Sequence, residues 1–213
     1  MEKEEPLSKY ILDSEKLDIH NFNKKIKVAF LSSFTINGLS ESLKVKCSKK
    51  QISCNTYVAG YNQYNQEILD PQSQLYQFQP NLTFLILDTR SILDDLWYFP
   101  YSIDEKQRQN FIEKKLKEIQ NLIIIFLKNS NSKLIISNFF IPTNSNYGIF
   151  ETKSNFGLQK MINTLNNNLQ DYIQNILKKN ANELQLNFLK TKLKMPKDLI
   201  QSKFSKLNSS FQS

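Results

Sequence analysis

Apolar residues fall along the chain in two alternating rhythms. Five short runs are almost continuously apolar or carry alternating apolar positions: Lys27–Ser32 (KVAFLS), Ile52–Val58 (ISCNTYV), Leu82–Leu87 (LTFLIL), Lys133–Ser137 (KLIIS) and Glu183–Phe188 (ELQLNF). Strands buried on both faces call for such runs, because neither set of alternating side chains meets water. Between the runs lie segments with three- and four-residue spacing, over Leu39–Lys49, Ser73–Phe78, Arg90–Trp97, Asp104–Lys128 and Asn155–Lys179. In Asp104–Lys128, Phe111, Leu116, Ile119, Ile123 and Phe126 recur on one side while Glu113, Lys114, Lys117 and Glu118 fill the other. That is the pattern of an amphipathic crossover helix. Asp104 followed three residues later by Gln107 predicts a capping box, and Pro100 closes the preceding segment. The alternation of strand and helix predicts βαβ units. The fold expected is α/β, a three-layer sandwich around a mostly parallel five-stranded sheet.

A chain of 213 residues suits one such core. The boundaries expected are an N-terminal extension over 1–24, the α/β domain over 25–190 and a basic tail over 191–213. An apolar fraction of 40% fills the core and excludes wholesale disorder. The net charge of +8 points less to nucleic acid than it suggests, because Lys190–Ser213 holds six lysines against one acid. The remaining body is close to neutral and carries no basic patch interleaved with aromatics. The longest apolar run, Leu122–Leu127, is far short of the roughly 20 residues that cross a bilayer, so no membrane span is expected. The opening Met1-Glu2-Lys3-Glu4-Glu5-Pro6 has acids where an export signal has a basic start and an apolar stretch, which predicts a cytoplasmic protein.

Cys47 and Cys54 match neither a redox CxxC nor a zinc knuckle, and His20 is the sole histidine, so no metal site is expected. With four glycines and neither GxGxxG nor GxxxxGK[ST], the chain has no loop that cradles phosphates, and no cofactor is expected.

Open parallel sheets bind ligands beyond the C-terminal ends of their strands. The residues expected there are Ser33, Thr35 and Asn37 after the first strand, Tyr61, Gln63 and Tyr64 after the second, Asp88 and Arg90 after the third, and Asn138 after the fourth. Ser33 or Thr35 is placed as a hydrolase nucleophile would be, or as an ordinary helix cap. Asp88 with Arg90 reads as a pair that orients a ligand or as a salt-bridged helix start. Tyr61-Asn62-Gln63-Tyr64 offers aromatic faces and amide planes to a polar ligand or partner, or is a plain polar loop.

Four stretches in order, KVAFLSSFTINGL, YVAGYNQYNQEILDPQSQLYQFQPN, LILDTRSIL and NFFIPTNSNYGIFETKSNFGLQKMINTLNNNL, resemble the FkbH-like family and cover most of residues 26–190. The resemblance implies an amino-terminal domain similar to SGNH hydrolases, with an SGNH-hydrolase/flavodoxin-like sheet. In such proteins a HAD-type domain follows, handles a phosphorylated glyceryl unit and passes it to an acyl carrier protein. The Asp-x-Asp-x-Thr motif of that second domain is missing here, so the chain is expected to be the first domain alone, stand-alone or truncated, with an acyl carrier protein and a HAD-type domain as partners. The Gly-Asp-Ser block of SGNH enzymes falls at Ser32-Ser33-Phe34 and the Gly-x-Asn-Asp block at Asp88-Thr89-Arg90-Ser91, while the late Asp-x-x-His block is missing. The implied role is a binding or docking domain without activity of its own. The alternative is an SGNH-like esterase or acyltransferase that uses Ser33.

Overall fold

The apolar runs become parallel strands and the periodic segments become helices that return the chain to the start of the next strand. The computed structural model describes residues 6–17, 22–143, 147–179 and 186–189. His20 and the basic tail over 191–213 lie outside the described residues. The elements in chain order are α1 (Leu7–Glu15), β1 (Lys24–Ser32), α2 (Leu39–Ser48), β2 (Ile52–Val58), α3 (Tyr64–Leu69), α4 (Gln74–Phe78), β3 (Leu82–Ile86), α5 (Thr89–Leu93), α6 (Asp95–Tyr98), α7 (Glu105–Asn129), β4 (Lys133–Ser137), α8 (Ile149–Lys153), α9 (Leu158–Lys179) and β5 (Leu186–Leu189).

The strands lie in the order β2-β1-β3-β4-β5, every neighbouring pair parallel. The register runs Val28↔Leu82 to Ser32↔Ile86 between β1 and β3, and Leu82↔Lys133 to Leu85↔Ile136 between β3 and β4. The α/β class and parallel sheet expected from the sequence are what the chain forms. Because β1 lies between two strands, Val28 to Ser32 are buried on both faces, while Lys24 and Lys25 at its start stay exposed.

The sheet's two faces carry separate apolar clusters. One gathers Ala29, Leu31, Leu85, Leu134 and Ile136 with Ile119, Ile123 and Phe126 of α7 and Met161, Ile162 and Leu165 of α9. The other holds Val28, Phe30 and Cys54 against Leu43 and Cys47 of α2, with Phe30 and Phe84 stacked at 5.2 Å between centroids. Full burial of one such side chain is worth roughly 1.5–3 kcal/mol, so these clusters dominate the fold's stability.

The predicted capping box is present: Asp104 Oδ1 accepts from Gln107 N–H at 2.8 Å and Gln107 Oε1 accepts from Asp104 N–H at 3.0 Å. The inward face of α7 keeps Ile119, Ile123 and Phe126 of the expected five and adds residues the spacing did not pick out. Arg108, Ile112, Ile119, Leu122, Ile123 and Phe126 are buried, while Phe111 and Leu116 only flank the core. The helix expected over Arg90–Trp97 is two short ones, because Asp94 adopts φ 50° and breaks the ladder between α5 and α6.

Helices α1 and α8 were not foreseen. In α1, inside the expected N-terminal extension, the Leu7 side chain lies where a Cβ on Gly38 would stand. Gly38 also has φ 81°, so any side chain there meets both strain and a clash. Among the described residues no helix is long and apolar enough to cross a membrane.

Candidate functional site

The parallel topology carries the residues after β1 to β4 to one edge of the sheet. Ser33 sits at the end of β1 and is 1% exposed. Its N–H donates to Ile86 O at 3.2 Å, and its Oγ accepts from Asp88 N–H at 2.8 Å. The neighbouring Ser32 Oγ accepts from Phe34 N–H at 3.1 Å. Both hydroxyls therefore stitch backbone at the strand ends. Among the described residues no histidine, lysine or carboxylate hydrogen-bonds to Ser33 Oγ, so none stands as its general base.

Asp88 and Arg90 form an ion pair, Nε to Oδ2 at 3.0 Å, with Arg90 the more exposed partner. Ser33, Asp88 and Arg90 are thus brought together, but the contact to Ser33 runs through the Asp88 backbone and leaves its carboxylate for Arg90. The pair stands at the start of α5, as the salt-bridged helix start would, with the guanidinium its more exposed member. An exposed pair of this kind contributes little to stability.

Across the β3–β4 end, Thr89 Oγ1 donates to Phe140 O at 3.0 Å. The buried Asn166 of α9 grips the same loop with two bonds, its Oδ1 accepting from Phe139 N–H at 2.8 Å and its Nδ2 donating to Phe139 O at 3.0 Å. This loop is held from both sides just beyond Asn138. Ser137 Oγ and Asn138 Oδ1 are shielded from solvent and have no hydrogen-bond partner among the described residues. An unpaired buried polar atom costs about 1–3 kcal/mol, a strain expected where a ligand is to be met. Replacing Ser137 with alanine removes one such atom and is expected to raise the melting temperature by roughly 2–4 °C, as read by calorimetry.

Thr35 and Asn37 are exposed beyond β1. Tyr61 is 72% exposed beyond β2, and Gln63 folds its amide back over Gly60. All four stand on loops that leave the C-terminal ends of β1 and β2. Tyr64 lies elsewhere. It is buried on α3 in the main core cluster, because its position faces the sheet rather than the loop, and burial pushes its phenol above the usual value.

A polar cluster that the sequence reading missed stands at the same end. Tyr101 O–H donates to Glu151 Oε2 at 2.7 Å, and Glu151 Oε1 accepts from Gln159 N–H at 2.8 Å. Arg108 lies 5.2 Å from the Tyr101 ring centre and donates to Phe156 O at 2.8 Å, Ile103 O at 2.6 Å and Pro100 O at 3.4 Å. Burial, then hydrogen bonding to Glu151, pushes the Tyr101 phenol up to about 12. Tyrosine, glutamate and arginine together suggest proton transfer, but every polar head already serves the protein. A Cβ on Gly157 would stand 2.5 Å from Glu151 Oε1 and 2.8 Å from Tyr101 Oη, so the latch closes only over a residue without one. The lone glycine was the one signal of it in the sequence.

A cavity of about 660 Å³ opens at the opposite end, lined by Gln79, Asn81, Asn129, Asn131 and Lys133 among others. It lies at the N-terminal ends of β3 and β4, away from where this architecture binds ligands. Asn81 Oδ1 there already accepts from Lys27 N–H at 2.8 Å. The edge beyond the strands' C-terminal ends is therefore the candidate site.

Together these features define a glycine-poor α/β domain with a parallel sheet. The chain belongs to the family described as FkbH, N-terminal domain, whose model matches residues 27–203. The family resemblance in the sequence is thereby established. A similar fold occurs in the crystal structure of the N-terminal part of the protein BF1531 from Bacteroides fragilis, containing a phosphatase domain and complexed with Mg, at TM-score 0.64 and 18% identity. The match covers 87% of this chain and 45% of that one, so this chain spans about half the length of that structure. An acetyl xylan esterase, AlAXEase, aligns at TM-score 0.33 and 18% identity over 78% of this chain and 88% of its own, too weakly to carry an argument. No curated protein matches the chain.

Proposed function

We propose that this chain is a non-catalytic binding domain of an FkbH-like protein, acting in cytoplasmic natural-product or polyketide biosynthesis. Its partners are a HAD-type phosphatase domain, which handles the phosphorylated glyceryl unit, and the acyl carrier protein that receives it. We read the covering of both sheet faces as the three-layer, five-stranded arrangement of SGNH-like domains, used here as a scaffold. The observation that carries this reading is the family match over residues 27–203, in a chain whose Ser33 is 1% exposed and accepts at Oγ from the Asp88 N–H at 2.8 Å. A nucleophile needs a base on its proton and an open path to substrate, and a serine 1% exposed offers no such path. A ligand at this edge would meet Thr35, Asn37, Tyr61, Gln63, Arg90 and Asn138.

Two measurements test the proposal. The chain, tagged in cells that make it, is expected to co-purify with a phosphatase-domain protein, and absence of any such protein would overturn the reading. Incubated with a fluorophosphonate probe, it is expected to remain unlabelled. Labelling that disappears in Ser33→Ala would instead establish the esterase or acyltransferase alternative.

A further inference from the structure

We infer that the chain beyond β5 docks on the half-covered face of β3 and β4 through an apolar stripe of Ile200, Phe204, Leu207 and Phe211. The register pairs Val28 with Leu82, Phe30 with Phe84 and Phe84 with Ile135, so Val28, Phe30, Leu82, Phe84, Ile86 and Ile135 share one face of the sheet. Val28 and Phe30 are buried there against Leu43 and Cys47 of α2. Beyond them Leu82, Phe84, Ile86 and Ile135 are only half-buried. Their neighbours on the opposite face of the same strands, Thr83, Leu85, Leu134 and Ile136, are at most 1% exposed. The difference is one of cover: α7 and α9 pack on that opposite face, whereas among the described residues α2 is the only helix that adds side chains to the cluster on this one.

A helix is about 10–12 Å across and neighbouring strands lie about 4.8 Å apart, so one helix covers two strands. With α2 on β1 and β2, the strip over β3 and β4 has the width of one more helix. Parallel sheets are found with both faces covered, because neither face can afford water. The chain that can supply the cover starts at the right place: β5 ends at Leu189 beside β4, and residues 190–213 follow it.

The sequence of that stretch has the matching pattern. Ile200, Phe204, Leu207 and Phe211 recur at steps of four, three and four residues, which gathers all four within about 60° on a helix of 3.6 residues per turn, while Ser202, Lys206 and Ser209 take the other side. Asp198 and Gln201, just after Pro196, repeat the Asp-x-x-Gln spacing that forms the capping box of α7. From Leu199 to Phe211 such a helix is about 20 Å long. The five-residue strands β3 and β4 run roughly 17 Å beneath it. The family match also continues past β5 into this stretch, to residue 203. Attachment to β5 gives the stripe an effective concentration in the millimolar range, which neither a second copy nor a free partner reaches.

The test is photo-crosslinking within the purified full chain, with p-benzoylphenylalanine placed at Phe204 and, as a control, at Lys206. Position 204 is expected to link to peptides of β3 or β4 in a product of monomer size, and position 206 to give no such product. Links from 204 to α7 or α9, links between two copies, equal yields from both positions, or no peptide product at all would each overturn the inference. Calorimetry supplies a second reading. Phe204→Ser with Leu207→Ser is expected to lower the melting temperature by about 6–12 °C, and Lys206→Ser to leave it within about a degree of wild type. A double variant that melts with the wild type would show that the stripe covers nothing.

Discussion

Replacing Arg108 with alanine is expected to lower the melting temperature by about 6–12 °C. Arg108 is 6% exposed and its guanidinium donates to three backbone carbonyls, those of Phe156, Ile103 and Pro100. Truncation leaves these acceptors without their donor and opens a void beneath Tyr101. Charged hydrogen bonds and unsatisfied buried groups together place the loss near 3 kcal/mol, and a chain of this size shifts by roughly 2–4 °C per kcal/mol. Arg108→Lys restores only part of it, because an ammonium cannot reach carbonyls on diverging segments as a planar fork can. Arg90→Ala, which breaks an exposed pair, is the contrast and is expected to move the midpoint very little. Calorimetry on the three variants decides the matter. A midpoint for Arg108→Ala within a degree or two of wild type would mean that water replaces the guanidinium at no cost.

The second large effect is alkaline unfolding between about pH 10 and 12. Burial pushes the phenols of Tyr57, Tyr64, Tyr76 and Tyr172 above the usual value, with a hydrogen bond to Glu67 adding to the rise at Tyr57. The Tyr101 phenol and, through burial and then neighbouring Cys47, the Cys54 thiol are pushed up to about 12. A raised value means that the folded chain holds a proton the unfolded chain has already released. The contribution to stability is therefore complete below the unfolded values and is lost as pH climbs towards the folded ones. Six groups titrating in the same window act together, so the denaturation midpoint in urea is expected to fall steeply above pH 10 and hold nearly level from 7 to 9. The part of the tyrosinate absorbance that comes from these five phenols should rise with the loss of near-ultraviolet circular dichroism, not ahead of it. Tyr101→Phe is expected to flatten the decline, and an identical slope in that variant would remove Tyr101 from the account.

Much of the fold was legible in one dimension. A run such as VAFL can bury both of its faces only inside a parallel sheet, and β1, β2 and β4 end where their sequence signals end. The capping pair Asp104 and Gln107 needed nothing beyond its own spacing. Short helices were harder, because the five residues of α8 give too little periodicity to read, and the break at Asp94 is a single backbone angle. In α7 the apolar residues fill more than half the circumference, so the sequence allowed several inward faces, and contact with α9 and α3 selected the one that carries Arg108.

The candidate site was legible as a place and not as an arrangement. Strand order sends Ser33, Asp88 and Asn138 to one edge whatever their side chains do, which is why their positions could be read. Whether Ser33 faced solvent or the Asp88 N–H, and whether Tyr64 pointed into the loop or into the core, depended on residues about 55 positions away or on another layer altogether.

The sequence by itself therefore determined the class of fold, its parallel strands and the edge to which the candidate residues are carried, because hydrophobic rhythm and topology are properties of the chain's order. Only the tertiary structure decided that Ser33 is buried with its Oγ accepting from the Asp88 N–H, that Tyr101, Arg108 and Glu151 lock together, and where the exposed rings fall. Those outcomes rest on distances between segments far apart in sequence, and burial with hydrogen-bond satisfaction sets such distances only once the whole core has packed.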